Sequence, residues 1–598
     1  MHWIDWAFLI FICLFIIGQG IYLTWKEKQR QEDNPYSFKQ INLSVVTSQF
    51  SITSLIFIPS HAYHVGMGFI QYYFGVPIAI ILITIIFMPI YNRYAREHKI
   101  KTAYGFLEKR FDKRTRLMMS IFVLLQNGLA TGMIIIAPSI IISSVLHLNI
   151  YWTNAIIAGI IVMFLLYIDI AVLSTIRKYQ MYIIITLIIV TFIILVFKLP
   201  ESVSFKDAVN LAGYSNKLSL INYNLDLEQK YNIWTAIFGS SILFLSIYSV
   251  NQRSVRSYLS DKPIHFIRYK LVLKALTKIP VMFLILFMAV MIYVFHIFYK
   301  TPLHFNRSNV NQIVNSGYAE KYNDIEDRLE TAFDQKKAIA YLILDQYDRG
   351  DKITEDLKAD LVEMEDREEK IRQEGRNLII DYEEKMGIHV NEYDKDYVFI
   401  SFIRDYLPKG LVGIVLGLLF FTSIFIVIYS VGNLSKNSLY DVFYHFYKKQ
   451  VSDEMHENLK DYFKYLWLIF GILFATFVNP KTNLIEALII VASLFYGSAF
   501  GLFAIGFFIK FIKKKAAFWG FVISEICVIT IFILEKTGVF TFSYLWLNLL
   551  GLGFILFFSF LFQIINTNFN LDDPEEIMEK TEDDENLENS SETVPSES

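Results

Sequence analysis

The sequence predicts an all-α polytopic membrane protein with about thirteen transmembrane helices. Of its 598 residues, 54% are hydrophobic, and the mean hydropathy is +0.40. Soluble globular domains have a lower apolar content, whereas apolar runs of about 20 residues are typical of membrane-spanning helices. Such stretches recur along the chain at residues 3–25, 42–63, 68–94, 116–146, 150–172, 178–199, 231–250, 271–298, 408–434, 462–478, 483–511, 516–534 and 543–564.

The basic residues predict the orientation of these helices. Lys and Arg cluster in alternate loops, and the loops between those clusters carry few basic residues. Because cytoplasmic loops are enriched in Lys and Arg, the N-terminus is expected outside and the C-terminus inside. The basic loops contain Lys26, Lys28, Arg30 and Lys39; residues 93–116; Arg177 and Lys178; Arg253, Arg256, Lys262, Arg268 and Lys270; Lys448 and Lys449; and Lys510 and residues 513–515.

Two segments of the chain do not resemble membrane spans. Residues 300–400 are rich in charge, and Leu357, Met364, Ile371 and Leu378 recur every seven residues within them. This narrow apolar stripe predicts a long helix, and a second helix before Arg349 would complete an extracytoplasmic hairpin. Residues 567–598 are acidic and lack aromatic side chains after Asn570, which predicts a disordered cytoplasmic tail.

These segments divide the chain into four predicted regions. Residues 1–299 contain transmembrane helices 1–8, and residues 300–400 form the inserted hairpin. Residues 401–566 contain transmembrane helices 9–13, and the tail follows. The hairpin is a candidate docking surface for an extracytoplasmic partner.

The second apolar stretch, residues 42–68, has an unusually polar centre. Its hydroxyl and amide side chains are Thr47, Ser48, Gln49, Ser51, Thr53 and Ser54. Unpaired polar groups in hydrocarbon cost free energy, so these side chains are expected to face protein or water. Two interpretations are open at this point. One is a locally loosened helix whose carbonyls and hydroxyls face a cation or solute, and the other is a helix–helix seam of small polar residues.

The sequence gives no indication of catalysis or of nucleic-acid binding. No nucleophile–base pairing, phosphate loop or cluster of metal ligands stands out, and the two cysteines, Cys13 and Cys527, both lie in apolar runs. We therefore predict that the chain is not an enzyme and has no cofactor. The predicted partners are the lipid bilayer and a small solute.

Several stretches resemble the solute:sodium symporter family, the relatives of sodium/glucose and sodium/proline carriers. Residues 102–111 (TAYGFLEKRF) resemble the loop between the family's third and fourth spans. Residues 234–262, ending in NQRSVRSYLSDK, are similar to the seventh span and its loop. Residues 278–283 (KIPVMF), 407–441 and 483–520 resemble the eighth, ninth and eleventh spans. The resemblance covers nearly the whole chain except the insertion and the tail.

The resemblance implies a LeuT-like five-plus-five inverted repeat. Spans two to six form one half and spans seven to eleven the other, and the first helix of each half is broken near the bilayer centre. The breaks would lie at residues 47–54 and 237–248. It also implies a secondary active transporter of a small organic solute in a bacterial cytoplasmic membrane, driven by a sodium gradient. The candidate solute-binding residues are Ser51, Ser54, Ser240, Ser241 and Lys278.

The implied sodium site departs from the family pattern. The carbonyls of Thr47, Phe50 and Thr422 fall at family positions, and Ser423 is a further candidate oxygen ligand. The family's adjacent hydroxyl pair falls on Phe425 and Ile426, whose side chains have no oxygen for a hard cation. The sequence therefore leaves sodium coupling, proton coupling and uncoupled transport as alternatives. A non-transporting sensor or scaffold that uses the insertion is the alternative from another class.

Charged residues inside the spans also have two interpretations. Lys278 lies where the family commonly has a lysine, and some members place it near the solute. The alternative is a lysine that extends towards the cytoplasmic interface. Glu486 and Glu525 lie nearer the ends of spans and are predicted to form hydrogen bonds between helices.

Overall fold

The structure, a computed structural model, describes residues 2–27, 45, 53–98, 100, 102–168, 170–259, 263–386, 393–447, 452–478 and 482–568. Within these residues every regular element is a helix. The all-α prediction is therefore confirmed. Thr47, Phe50 and Ser51 lie outside the described residues, as do residues 569–598 of the predicted tail, whereas residues 567 and 568 still belong to the last helix.

Twenty helices follow one another along the described chain. Before the insertion these are α1 (Trp3–Glu27), α2 (Thr53–Phe57 and Ile58–Val65), α3 (Met67–His98), α4 (Ala103–Arg110), α5 (Lys113–Leu146), α6 (Ile150–Tyr167), α7 (Ile170–Phe197), α8 (Phe205–Tyr214), α9 (Thr235–Ser249), α10 (Gln252–Tyr258) and α11 (Ile264–Phe298). The insertion contains α12 (Arg307–Val314), α13 (Ala319–Asp348) and α14 (Glu355–Met386). The remaining helices are α15 (Val398–Tyr406), α16 (Leu411–Phe446), α17 (Asp453–Phe477), α18 (Leu484–Phe508), α19 (Lys514–Lys536) and α20 (Trp546–Asn568).

Nine helices in the described ranges are long and apolar enough to cross a membrane: α1, α3, α5, α11, α16, α18, α19, α20 and the 179–197 part of α7. The helices α6 and α9 are apolar but shorter. Each of the thirteen predicted stretches contains at least part of a described helix. The chain is therefore a multi-pass membrane protein, while the total of thirteen spans and their orientation stay predictions.

The central helices of the bundle are α5, α11, α16 and α18, whose apolar side chains are mostly buried, whereas α1, α7, α19 and α20 expose many apolar side chains at the periphery. Exposed apolar side chains on a spanning helix are the surface that lipid covers. At one peripheral contact, α1 packs so closely on α16 that a side chain at Gly413 would overlap the Asp5 carbonyl oxygen. Close backbone approach of this kind is typical of small residues between membrane helices.

The insertion contains two long helices, α13 and α14, that pack against each other. Ile371 of the seven-residue stripe is buried between them, together with Tyr322, Leu329 and Ile379. The pair is also held by an ion pair between Lys336 Nζ and Glu368 Oε2, 2.6 Å apart, both buried. Side chains further along the pair, such as Ile343 and Leu361, join the core of the membrane bundle. That the hairpin lies outside the cell stays a prediction.

Polar contacts attach this hairpin to the bundle. Glu365 of α14 accepts a hydrogen bond from the Tyr293 hydroxyl on α11, and Lys217 Nζ lies 3.6 Å from the same carboxylate. Lys217 also donates to the His64 carbonyl at the end of α2 (2.8 Å). The hairpin is thereby connected to α2 and α11, two helices near the candidate site.

A second attachment lies where the chain leaves the insertion. Asp396 accepts hydrogen bonds from the Asn483 side chain and from the Leu484 backbone N–H (3.1 Å), at the start of α18. The Ser60 hydroxyl of α2 donates to the Asp396 carbonyl (3.1 Å) and accepts from the Phe399 N–H (3.3 Å). This segment therefore connects α2 to α18.

The Asp396 attachment predicts a pH-dependent stability. Burial raises the pKa of the Asp396 carboxyl from its usual value to about 8; the Leu484 N–H opposes this shift, and Asp394 and Glu486 add to it. Because the folded pKa is the higher one, the stability that this group contributes is present below about pH 4 and is lost as the pH rises to about 8. We expect the unfolding temperature of the purified protein to fall by several degrees over this range and Asp396→Asn to reduce that fall.

The control for this experiment is Asp405→Asn, because the Asp405 carboxylate is partly exposed and pairs with Arg307. We expect this variant to keep the wild-type pH profile. An Asp396→Asn variant whose unfolding temperature falls as steeply as that of the wild type would contradict the assignment.

Candidate functional site

The helix α9 carries the two adjacent serines predicted to contact solute. It runs without interruption from Thr235 to Ser249, so the break predicted between residues 237 and 248 is absent, and its first six residues are π-helical instead. The physical reason lies at the Ala236 carbonyl, which accepts the Ser241 N–H as well as the hydroxyls of Ser240 (2.7 Å) and Ser241 (3.1 Å). The two serine hydroxyls thus form hydrogen bonds to the Ala236 carbonyl in the widened turn, and the helix stays continuous. Such π-turns are frequent at functional sites.

The π-helical turn packs directly on α3. A side chain at Gly75 would lie 2.6 Å from the Ser240 carbonyl carbon, so only glycine permits this approach of the two backbones. Ser240 and Ser241 are both buried. Their protons are already donated to Ala236, so each serine retains only acceptor lone pairs for a ligand.

Lys278 of α11 also contacts α3. Its ammonium lies 4.6 Å from the centroid of the Tyr73 ring, in the geometry of a cation–π interaction. No carboxylate in the described ranges lies within ion-pair distance of it, and its side chain is half-buried. A charge inside a spanning helix is costly and usually faces protein, water or a ligand. Lys278 therefore offers a positive charge whose anionic partner is not another described residue.

The residues around Tyr73 are largely aromatic. The Tyr72 and Phe244 rings lie 5.0 Å apart, and Phe69 stacks on Tyr72 at 5.6 Å. The Tyr72 and Tyr73 hydroxyls have no hydrogen-bond partner within the described part of the chain. Because a tyrosine presents an apolar ring and a polar tip, this wall provides both apolar area and hydroxyl donors near Lys278.

A hydrogen-bonded chain adjoins this aromatic wall. The His61 Nε2 atom lies 3.1 Å from the Tyr231 hydroxyl, which in turn lies 2.8 Å from the Tyr544 hydroxyl. The Gln71 amide donates to the Tyr231 carbonyl (3.1 Å). These bonds hold the end of the 215–234 loop and the turn before α20 against α2 and α3.

The candidate cation residues on α16 are buried in the core. The Thr422 hydroxyl donates to the Leu418 carbonyl (2.8 Å), and the Ser423 hydroxyl donates to the Phe420 carbonyl (2.6 Å). Both oxygens therefore retain lone pairs that a cation could accept as ligands. At the position of the family's hydroxyl pair, Phe425 is buried and packs on the Phe164 ring of α6, with centroids 5.5 Å apart. Hydrocarbon thus fills the place of those hydroxyl groups.

The structure brings only some of the predicted residues together. Ser240 and Ser241 pack on α3 at Gly75, and Lys278 contacts the same helix at Tyr73. Ser54 is buried in the π-helical part of α2, and Ile426 is partly buried on α16. The roles of all these residues in binding stay predictions.

The sequence analysis missed the aromatic residues of the site. Tyr72, Tyr73 and Phe244 lie in apolar runs, and their ring contacts join helices far apart in the chain. The only signal was the Gln71–Tyr72–Tyr73 run inside an otherwise apolar span. The intramembrane glutamates also differ from prediction, since Glu486 forms an ion pair with Lys230 and Glu525 has no hydrogen-bond partner among the described residues.

The fold and this arrangement define a helical membrane protein with buried polar side chains between its helices. Comparison of sequences identifies its relatives. The chain is 23% identical over 266 residues to sodium-coupled monocarboxylate transporter 2 of Mus musculus, which covers 43% of this chain and 42% of the relative. It is 24% identical over 265 residues to the sodium/iodide cotransporter of Homo sapiens, covering 43% of this chain and 40% of that protein. No family model matches the chain.

The comparison of structures extends over nearly the whole chain. A Na⁺-coupled sialic acid symporter, solved in a substrate-bound outward-open state, is similar with a TM-score of 0.62 and 15% identity, and the match covers 94% of this chain and 98% of that one. At this identity the likeness shows the fold. The resemblance to the solute:sodium symporter family and the LeuT-like fold class are therefore confirmed. The sequence alignments span less than half of the relatives' length, and those relatives are transporters rather than enzymes.

Proposed function

We propose that this protein is a sodium-driven symporter that carries a small organic anion across a bacterial cytoplasmic membrane by alternating access. The observation that carries the proposal is the Lys278 ammonium, half-buried between helices against the Tyr73 ring. A lysine in this position requires a negative partner or access to water to offset its desolvation. A carboxylate solute is the partner that fits an ammonium beside tyrosine hydroxyls.

The names of the relatives support an anionic solute. Monocarboxylates, iodide and sialic acid are the solutes named for the proteins similar to this chain, and all of them are anions at neutral pH. Among them, a carboxylate makes the best use of the aromatic wall. Its oxygens would accept from Lys278 and from the Tyr72 and Tyr73 hydroxyls, and its apolar part would contact Phe244.

The serines have a different part in this proposal. Because Ser240 and Ser241 donate to Ala236, they would accept hydrogen bonds from hydroxyl or amide groups of the solute. Ser54 of α2 and Ser51, which precedes α2 in the chain, stay candidates for contacts with the solute. An extracytoplasmic partner on the α13–α14 hairpin also stays a prediction and has no part in the proposed transport.

Sodium would bind between α2 and α16. Thr422 and Ser423 would contribute hydroxyl or carbonyl oxygens, and the carbonyls of Thr47 and Phe50, which precede α2 in the chain, would complete the coordination. Several oxygens are required because sodium loses its hydration shell on binding. Phe425 and Ile426 leave this site with fewer side-chain oxygens than the family pattern, so we propose that its sodium affinity is low rather than absent.

Uptake into reconstituted vesicles tests the sodium proposal. We expect uptake of a labelled carboxylate to require an inward sodium gradient and to cease when choline replaces sodium at constant pH. Thr422→Val removes one candidate oxygen and is expected to raise the sodium concentration for half-maximal uptake by about tenfold, which corresponds to about 1.4 kcal/mol.

The matched control is Thr84→Val on α3, because the Thr84 hydroxyl makes the same bond to a carbonyl one turn earlier (2.9 Å) but lies far along the helix from Tyr73. Its sodium dependence should equal that of the wild type. Uptake that continues unchanged in choline would refute sodium coupling and favour the proton-coupled or uncoupled alternatives.

A further inference from the structure

A polar junction lies where α18, α19 and α20 meet, apart from the proposed solute site. Glu525 of α19 is 7% exposed, and neither of its carboxyl oxygens has a hydrogen-bond partner in the described part of the protein. Its neighbour in sequence, Ser524, lies 3.1 Å from Ser498 of α18, hydroxyl to hydroxyl, so the Glu525 carboxyl lies at the same contact between α18 and α19. A buried carboxyl within a spanning helix is costly unless its charge is neutralised or paired.

The helices are closely packed at this junction. A side chain at Gly551 of α20 would lie 2.8 Å from the Ser498 backbone nitrogen, and one at Gly497 would lie 2.6 Å from the Asn548 carbonyl oxygen. The Ser498 and Ser524 hydroxyls are both buried and lie 3.1 Å apart. Glycine at these positions lets the backbones approach and fixes the polar groups relative to one another.

The direction of each hydrogen bond can be assigned by counting protons. The Ser524 hydroxyl donates to the Gly551 carbonyl (3.1 Å), because a carbonyl only accepts. A hydroxyl has one proton, so in the bond between Ser498 and Ser524 the donor is Ser498. Ser498 therefore has no proton left and presents only lone pairs towards Glu525.

An ionised Glu525 would then place a negative charge against the lone pairs of an acceptor. We propose that Glu525 is a proton-binding site: its carboxyl takes a proton from water, stays neutral in the membrane, and donates that proton to Ser498 Oγ. The proton completes a chain of donors from Glu525 through Ser498 and Ser524 to the Gly551 carbonyl. The hydroxyls of Glu525, Ser498 and Ser524 then each donate one hydrogen bond, the Gly551 carbonyl accepts the last of them, and the buried charge is removed.

Within the described residues, no positive side chain on the helices packed against Glu525 forms an ion pair with its carboxyl. α20 has no ionisable residue in its described length, and α5 packs on α19 through Phe122 and Phe521. Among the described residues, none of the remaining ionisable groups on these helices forms a hydrogen bond or an ion pair with Glu525. They are Glu486 and Tyr496 on α18; Lys514, Lys515, Cys527, Glu535 and Lys536 on α19; and Lys113, Arg114 and Arg116 on α5.

Infrared spectroscopy of the purified full-length protein tests the proposal directly. We expect the protonated Glu525 carboxyl to give a C=O stretching band at neutral pH that disappears in Glu525→Gln, while the band of the protonated Asp396 carboxyl remains. The Glu525 band should persist in Glu535→Gln, the matched control on the same helix, whose carboxylate lies beside Lys536. Replacing sodium with choline should leave the Glu525 band unchanged.

A second variant tests whether Ser498 accepts the hydrogen bond from the protonated Glu525 carboxyl. Ser498→Ala removes the oxygen that receives the proton, so the Glu525 band should shift to higher wavenumber without being lost. If Glu525→Gln does not accumulate, this shift alone decides the question. Identical spectra for the wild type and Glu525→Gln would overturn the proposal, and so would a band that vanishes when sodium is added, because Glu525 would then be a sodium ligand. These spectra do not depend on whether the protein transports a carboxylate.

Discussion

Lys278→Met is expected to raise the carboxylate concentration needed for half-maximal uptake by about 10- to 100-fold. A hydrogen bond to a charged group contributes about 1.5–3 kcal/mol, and each 1.4 kcal/mol is a factor of ten in affinity. Methionine keeps much of the length and the apolar contact with Tyr73 but loses the ammonium. Uptake of a labelled short-chain carboxylate into proteoliposomes, under a fixed sodium gradient, measures this effect.

The matched control is Lys274→Met, one helical turn earlier on α11. The Lys274 ammonium lies 4.9 Å from the Tyr248 ring centroid, so the same substitution removes a similar lysine–tyrosine contact away from Tyr73. We expect a change of at most about threefold in this variant, which corresponds to less than 1 kcal/mol. Equal losses in the two variants would mean a general effect of positive charge on α11. Normal uptake by Lys278→Met would remove Lys278 from the anion site and leave the sodium test unaffected.

The membrane helices were predictable because each depends on a property that the sequence carries directly. An apolar run of spanning length can satisfy its backbone only as a helix, so stretches such as 116–146 and 483–511 give α5 and α18 almost residue for residue. The two helices at Ala319–Asp348 and Glu355–Met386 were predictable from the charged composition and the seven-residue stripe.

The candidate site was only partly predictable because its chemistry depends on which helix faces meet. Lys278 could be identified from its position in a span, but its contact with Tyr73 joins residues about 200 positions apart. Periodicity also could not predict the π-helical turn of α9, which depends on three donors converging on the Ala236 carbonyl. Similarly, the surroundings of the Glu525 carboxyl depend on how the Ser498 and Ser524 hydroxyls bond to each other and to the Gly551 carbonyl, on three different helices.

The largest expected effect on stability follows from Glu368→Ala in the hairpin. The substitution leaves the Lys336 ammonium, which is 5% exposed, without its only carboxylate partner in the described structure. Removing one member of a buried ion pair costs about 3–5 kcal/mol, because the remaining charge stays desolvated. Hydrogen exchange of the α13 and α14 backbone amides, measured on the full-length protein, should show this loss as faster exchange confined to the hairpin.

Two further variants separate the lost partner from a general weakening of the hairpin. The double variant Lys336→Met/Glu368→Leu removes both charges and should restore most of the protection, since apolar side chains can replace a buried ion pair at little cost. Glu374→Ala breaks the exposed pair with Arg328 and should change protection by less than about 1 kcal/mol. Glu368 lies one turn from Glu365, which accepts from Tyr293 on α11, so loosening α14 should also reduce uptake. Uptake that stays normal while the hairpin exchanges freely would show that transport does not depend on this attachment to α11.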